Sequence, residues 1–116
     1  MISIVCPVYN EEKYLPELLR FLDSVEPKGK EIFFIDGGST DNSLKIINSF
    51  NWRDNQCYVL ININRTVPFA LNLAIPKCTY GIIVRLDAHT KYDSEYFSLI
   101  LKVFKDVDAD IVGGPT

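Results

Sequence analysis

The residues best suited to chemistry in this chain are Asp87 and His89, two positions apart at the end of an apolar run from Tyr80 to Leu86. In extended backbone that spacing puts both side chains on one side. A carboxylate and an imidazole converging there can share a divalent cation. All-oxygen sites suit Mg²⁺, and an imidazole ligand moves the choice toward Mn²⁺. His89 is the single histidine, so a multi-histidine zinc site within the chain is excluded. A second cluster, Asp36-Gly37-Gly38-Ser39-Thr40-Asp41, follows the run Glu31 to Ile35. Its glycines let backbone N–H groups approach a ligand and turn into a helix N-terminus. Pro7-Val8-Tyr9-Asn10-Glu11-Glu12 and Asn64-Arg65-Thr66 are two further polar clusters of the same kind. Each alone is also an ordinary turn or a solvated surface pair. The sequence contains neither the G-x-G-x-x-G fingerprint nor the phosphate loop G-x-x-x-x-G-K-[ST], which disfavours the common dinucleotide and P-loop readings.

The elements that must position these clusters follow from periodicity. Ile2 to Val5 is a short β-branched apolar run, and the expected strand ends at Pro7, which cannot donate to a ladder. Leu15, Leu18, Leu19, Leu22 and Val25 recur at the spacing of an amphipathic helix whose first turn accommodates Pro16, with Pro27 and Gly29 closing it. Glu31 to Asp36 reads as a second buried strand. A short helix carries Leu44, Ile46, Ile47 and Phe50, with Ser39, Thr40 and Asp41 as capping residues. Further expected elements are a strand over Tyr58 to Ile63, a helical segment over Pro68 to Ile75, a strand over Tyr80 to Leu86, a helix bearing Tyr96, Phe97, Leu99 and Ile100, and a fifth strand from Ile111. Alternating strands and helices, with strands apolar on both faces, imply βαβ units and a mainly parallel sheet. The polar clusters then fall at the carboxyl ends of the strands, where open α/β sheets bind ligands.

Composition narrows the function classes. The chain has 116 residues, 47% of them hydrophobic, which allows one domain with its own core. Twelve Lys and Arg against 15 Asp and Glu give a net charge of −3 with no basic run, so nucleic acid is not an expected partner. No apolar run approaches the roughly 20 residues of a membrane span, and Met1 leads directly into the first strand without a leader-like segment. The expected compartment is the cytoplasm. Cys6, Cys57 and Cys78 fit neither a disulfide framework nor a zinc site, and read as reduced, mostly buried thiols.

Three runs taken together, Ser3-Ile4-Val5-Cys6-Pro7-Val8-Tyr9-Asn10-Glu11-Glu12, Ile35-Asp36-Gly37-Gly38-Ser39-Thr40-Asp41 and Ile83-Val84-Arg85-Leu86-Asp87-Ala88-His89-Thr90, resemble the nucleotide-sugar-binding half of family 2 glycosyltransferases. The resemblance extends in order from Met1 to Thr116, and the Asp-Ala-His-Thr version looks most like the bacterial exopolysaccharide, succinoglycan-type branch. It implies the α/β GT-A fold, an open, Rossmann-like, mainly parallel sheet with flanking helices, of which residues 1–116 form the N-terminal part. It implies a nucleoside-diphosphate sugar as donor, a UDP-sugar favoured, and a glycan or lipid-linked acceptor. Pro7 and Val8 would floor the nucleobase, with Tyr9 beside its ring, Glu11 near ribose or base, and Asp36 hydrogen-bonded to the base. Arg65 falls where members often place a basic residue near the nucleotide. Asp87 and His89 would stand in for the Asp-x-Asp motif, Asp87 toward ribose and metal and His89 on the Mn²⁺ or Mg²⁺ that bridges the diphosphate. Asn72 matches the family's Ala-Arg-Asn position and reads as structural.

Two departures qualify the resemblance. Many members carry two consecutive aspartates where this chain has Asp36-Gly37, which bears on base recognition and donor identity. The family's catalytic domain also continues past the position matched by Thr116, so the acceptor site and the carboxylate general base are expected there, with the full-length protein at the inner face of the membrane. Asp93 and Glu95 read as solvated charges on the last helix, not as that base. Self-association through surface that the rest of the domain covers is a further expectation. The competing class is a non-catalytic, degenerate GT-A-like interaction module, motivated by Gly37 and by histidine in the Asp-x-His position. A sugar nucleotidyltransferase ranks below both, because the expected glycine-rich, arginine-bearing start is missing between Val5 and Glu12.

Overall fold

The computed structural model describes residues 2–62, 67–104 and 111–113. Five strands, β1 (Ile2–Val8), β2 (Glu31–Asp36), β3 (Gln56–Ile61), β4 (Ile82–Arg85) and β5 (Ile111–Gly113), alternate with α1 (Leu15–Ser24), α2 (Ser43–Ser49), α3 (Val67–Ala74) and α4 (Tyr96–Phe104). The strands form one sheet in the order β3-β2-β1-β4-β5, and every pairing is parallel. The expected parallel α/β architecture is therefore present, with β1 at its centre.

Both faces of the central strands are covered, which is why β1 and β2 read as nearly continuous apolar runs rather than alternating ones. Ile2, Ile4, Cys6 and Val8 of β1 face the helix layer of α1, α2 and α4, packing with Leu15, Leu19, Leu22, Ile47 and Phe97. Val5, Phe33, Ile35 and Ile83 point the other way, against Ala70 and Ala74 of α3. Helix α1 starts with Pro16 in its first turn, where a missing N–H costs nothing. It ends where Val25 turns extended and its N–H bonds back to the Phe21 carbonyl at 3.0 Å. Full burial of Leu15, Leu19 and Leu22 is worth about 1.5–3 kcal/mol each.

Several expected boundaries shift, for identifiable reasons. Pro7 lies inside β1 rather than ending it. The Val5 carbonyl accepts the Leu86 N–H, so odd-numbered residues of β1 face β4, and β4 pairs with β1 only as far as Val5. Pro7 therefore lacks its donor on the side where no strand runs alongside, while β2 continues pairing through Val8 on the other. β3 begins at Gln56, two residues earlier than expected, because it pairs in register with the whole of β2. It is also exposed at Gln56, Tyr58 and Ile61, as an edge strand is, and not buried on both faces. β4 is shorter at both ends than the apolar run Tyr80 to Leu86. Ile75–Lys77 forms a 3-10 turn after α3. Asp93 and Glu95 precede α4 instead of lying on it, and the Asp93 side chain and carbonyl accept the N–H groups of Glu95 and Tyr96. Of the thiols, Cys6 is buried and Cys57 and Cys78 are partly exposed.

Two buried charged groups tie the lower end of the sheet. The Glu31 carboxylate on β2 accepts the Ser3 hydroxyl at 2.8 Å, the Thr79 N–H at 2.7 Å and the Thr79 hydroxyl at 2.8 Å, joining β1, β2 and the approach to β4. Lys30 is fully buried, its ammonium donating to the carbonyls of Val25 and Pro27 at 2.6 and 2.8 Å. That pair of bonds pins the loop between α1 and β2.

Candidate functional site

At the carboxyl end of the sheet, the loops after β1 and β2 form one hydrogen-bonded unit. Asn10 has φ of 52°, a conformation asparagine tolerates better than most side chains. That turn aims its Oδ1 at the β2–α2 loop, where it accepts the Thr40 N–H at 2.8 Å and the Asp41 N–H at 3.3 Å. In return Ser39 Oγ accepts the Asn10 N–H at 2.9 Å, Ser43 Oγ accepts the Glu11 N–H at 2.8 Å, and Asp41 Oδ2 accepts the Glu12 N–H at 3.2 Å. Partial burial raises the Asp41 carboxyl, but the Ser43 hydroxyl and the N–H groups of Ser43 and Glu12 outweigh it and hold it below its ordinary value. The cap of α2 is Asn42, which makes no side-chain capping bond. Asp41 does meet the helix start, its Oδ1 accepting the N–H of Ser43, the first residue of α2, at 2.9 Å, while Ser39 and Thr40 serve the loop junction.

Asp36 is 1% exposed, and its carboxylate is committed to its own turn. Oδ2 accepts the N–H groups of Gly38 and Ser39, both at 2.9 Å, and Oδ1 accepts the Ser39 hydroxyl at 2.5 Å. Gly38 takes φ of 92°, which a side chain would resist. The residue of this motif that reaches the open cleft is Gly37.

That cleft is lined by Pro7, Val8, Tyr9 and Glu11 after β1, Ile35 and Gly37 of the β2 end, Asn62 after β3, Ala70 of α3, and Asp87 with His89 after β4. Six of the residues singled out from sequence thus meet at one rim: Pro7, Val8, Tyr9, Glu11, Asp87 and His89. Asp36 stands behind it, Arg65 lies outside the described residues, and Asn72 is exposed on α3 away from the lining. Gly37, one of the glycines expected to let backbone approach a ligand, is also on the lining, whereas sequence reasoning missed Asn62, which follows an apolar strand, and Ala70, whose small size is its contribution.

Beyond β4 the chain turns rather than staying extended, with the Thr90 N–H on the Asp87 carbonyl at 3.3 Å and the Asp87 N–H on the Tyr92 hydroxyl at 2.9 Å. Asp87 Oδ1 lies 3.3 Å from Arg85 Nη2, and His89 Nδ1 lies 3.4 Å from Glu11 Oε1. The second oxygen of Glu11 is buried and has no hydrogen-bond partner among the described residues. Beneath these groups, burial together with the charges of Asp87 and Glu11 pushes the Cys6 thiol far up, leaving it inert. The arrangement presents aromatic, backbone and acidic groups at a strand-end crevice, the setting in which α/β sheets hold nucleotides.

The sequence model of glycosyl transferase family 2 matches residues 3–116. The chain belongs to that family. Among its relatives are the glycosyltransferase GlyG of Streptococcus pneumoniae, 31% identical over 98% of this chain and 38% of the relative, and the poly-β-1,6-N-acetyl-D-glucosamine synthase of Staphylococcus epidermidis, 33% identical over 90% and 25%. The structure superimposes on TarS of S. aureus, residues 1–349, with a TM-score of 0.76 and 25% identity, covering 90% of this chain and 32% of that one. A crystal structure of the same TarS segment in complex with UDP matches with a TM-score of 0.74 at 25% identity. This family 2 chain has the GT-A architecture over the part it shares with them, and it spans between a quarter and two-fifths of the length of the relatives it matches.

The donor set of the family 2 chain bears on the cation that its resemblance implies. Among the described residues, no three His, Cys, Asp or Glu side chains come together closely enough to hold an ion unaided. Asp87 and His89, on one rim, are the residues that would hold a divalent cation there, and only together with further oxygen ligands from water or a bound nucleotide. They do not make a resident all-protein cage. Among the described residues no helix is long and apolar enough to cross a membrane.

Proposed function

We propose that this chain is the donor-binding part of an inverting glycosyltransferase that uses a nucleoside-diphosphate sugar, UDP-linked by preference, in building a bacterial glycan. One observation carries the reading: residues from four strand ends, Tyr9, Gly37, Asn62, Asp87 and His89 among them, converge on a single cleft. The UDP complex of TarS, a neighbour in fold, supports the choice of nucleotide.

In this reading Tyr9 flanks the base and Pro7 and Val8 floor it, while Gly37, lacking a side chain, leaves room for the base to approach the β2 backbone. Asp36 recognises nothing directly; it braces the turn that presents Gly37. Asp87 and His89 hold Mn²⁺ or Mg²⁺, which when bound neutralises charge on the departing diphosphate. Arg85, already against Asp87, holds that carboxylate in place. The base that deprotonates the acceptor hydroxyl is assigned to a carboxylate outside these 116 residues, because Asp93 is engaged in starting α4. The acceptor is a glycan or a lipid-linked sugar.

Calorimetric titration with UDP tests the reading. Weak binding is expected in the presence of Mn²⁺ and loss of most of it in EDTA. The His89→Ala variant should lose about tenfold or more of the Mn²⁺-dependent affinity. Equal affinity in wild type and variant removes His89 from the site, and sugar transfer by the 116-residue chain itself overturns the assignment of the base.

A further inference from the structure

β3 is an edge that the fold leaves uncovered. It stands at the end of the sheet order, with β2 as its one neighbour strand among the described residues. None of its residues is buried, whereas all of β2 is. The Gln56 N–H bonds to the Lys30 carbonyl at 3.0 Å and the Asn62 N–H to the Asp36 carbonyl at 2.7 Å, so even-numbered positions turn their peptide groups toward β2. Cys57, Val59 and Ile61 therefore turn their N–H and C=O groups outward. Natural edges are commonly blunted by charge, proline or a bulge. Gln56 to Ile61 contains no charged residue, proline or glycine, and it pairs with β2 in unbroken register. The nearest preceding charges are already matched, Asp54 with Lys28 at 3.7 Å and Arg53 with Asp23 at 3.9 Å. Two large apolar side chains stand open on opposite faces of this strand: Tyr58, 43% exposed and stacked on Phe33 with centroids 5.0 Å apart, and Ile61, 54% exposed. The other edge, β5, is only three residues long.

We propose that β3 is a dimerisation edge, pairing antiparallel with β3 of a second copy of this chain about a two-fold axis at Val59. The occupant is a second copy because the edge is complementary to itself. In that register Val59 faces Val59 and Cys57 faces Ile61 of the other copy, so every outward residue lies opposite an outward residue and each such pair exchanges two hydrogen bonds. A shift to either side leaves at least one outward residue without an opposite. Tyr58 falls opposite Leu60 in the closer, non-hydrogen-bonded pairing, which extends the apolar face that Phe33 begins. No like charges are set against each other, and a strand bearing charge would gain nothing at these uncharged positions. The two-fold pairing uses up the edge, so the assembly closes at two chains. It does not depend on the donor cleft, and it sets the two clefts at opposite ends of the joined sheet.

Sedimentation of the full chain across a concentration series should show a monomer passing to a dimer and no larger species. Amide hydrogen exchange then reads the register. In dilute solution the N–H groups of Cys57, Val59 and Ile61 should exchange fast, while those of Gln56, Tyr58 and Leu60 are protected by β2. Under dimer conditions the three outward groups should slow by about tenfold or more. Ile61→Lys, at a position more than half exposed in the monomer, should weaken dimerisation about tenfold, because each dimer contains the Ile61–Cys57 pair twice. A chain that stays monomeric at millimolar concentration or grows beyond a dimer overturns the proposal. So does a dimer whose three outward amides still exchange fast, or protection of those amides already in the dilute monomer. Dimerisation of folded Ile61→Lys as tight as that of wild type overturns it too. Should that variant fail to fold, the wild-type exchange pattern decides alone.

Discussion

At the scale of single residues, charge at the cleft is shaped by hydrogen bonds more than by exposure. Asp36 ends β2 and Asp87 follows the end of β4, yet they differ in role: one carboxylate faces back into its own turn, and the other lies part-exposed beside Arg85. Replacing Asp36 by alanine should destabilise the chain by about 2–3 kcal/mol, because three donors lose a charged acceptor. Urea unfolding measures this. An unchanged midpoint together with lost UDP affinity would show instead that Asp36 contacts the ligand. The motif itself was legible in the sequence, since an aspartate closing an apolar run before two glycines signals a strand-end turn. Which way its carboxylate points was not, because that depends on where the folded turn places the donors of Gly38 and Ser39.

At the scale of elements, the parallel sheet is held at its lower end by a polar junction that periodicity does not reveal. Burial raises the Glu31 carboxyl, but bonds from the Thr79 N–H and hydroxyl and from Ser3 outweigh it and hold it below its ordinary value of 4.5. The folded state therefore favours the ionised form. The resulting stability is fully present above pH 4.5 and is lost as pH falls through the lower folded value. Glu31→Gln should be less stable than wild type at neutral pH, and the gap should narrow on acidification; a gap independent of pH would separate Glu31 from the acid response. Element identity was read correctly wherever a long apolar stripe recurs, as in α1. Boundaries moved where a partner strand decides them. Pro7 stays within β1 because β4 pairs no further than Val5, and Gln56 joins β3 because β2 has a partner position for it.

At the scale of the whole molecule, the alkaline limb of stability should carry the signature of Lys30. Burial pushes its ammonium down to about 8 from an ordinary 10.5, against the opposing pull of Glu26 and Asp23. Between those values the unfolded chain binds more protons than the folded one, so this group adds stability as pH rises through that window. The buried thiols work in the other direction, since Cys6 and Cys57 are raised from an ordinary value of 9.0 and ionise more readily when unfolded. The informative quantity is the difference between wild type and Lys30→Met in chemical unfolding. It should shift in favour of wild type from about pH 8 upward, and a difference that stays flat would mean that the ammonium is not penalised by its surroundings.

The sequence by itself determined the alternation of strands and helices, the parallel class, the identity of six residues at the cleft and the family to which they belong. Those properties are local: they follow from side-chain period, turn chemistry and the order of motifs along one chain. Only the tertiary structure decided the order β3-β2-β1-β4-β5, which brings loops from four strand ends to a single rim. It also turned Asp36 inward, sealed Lys30 beneath a loop, and set Glu11 against His89 across 78 positions. The physical reason is that each of these depends on how far another strand runs and which donor lies nearest in space. Spacing along the chain carries neither quantity.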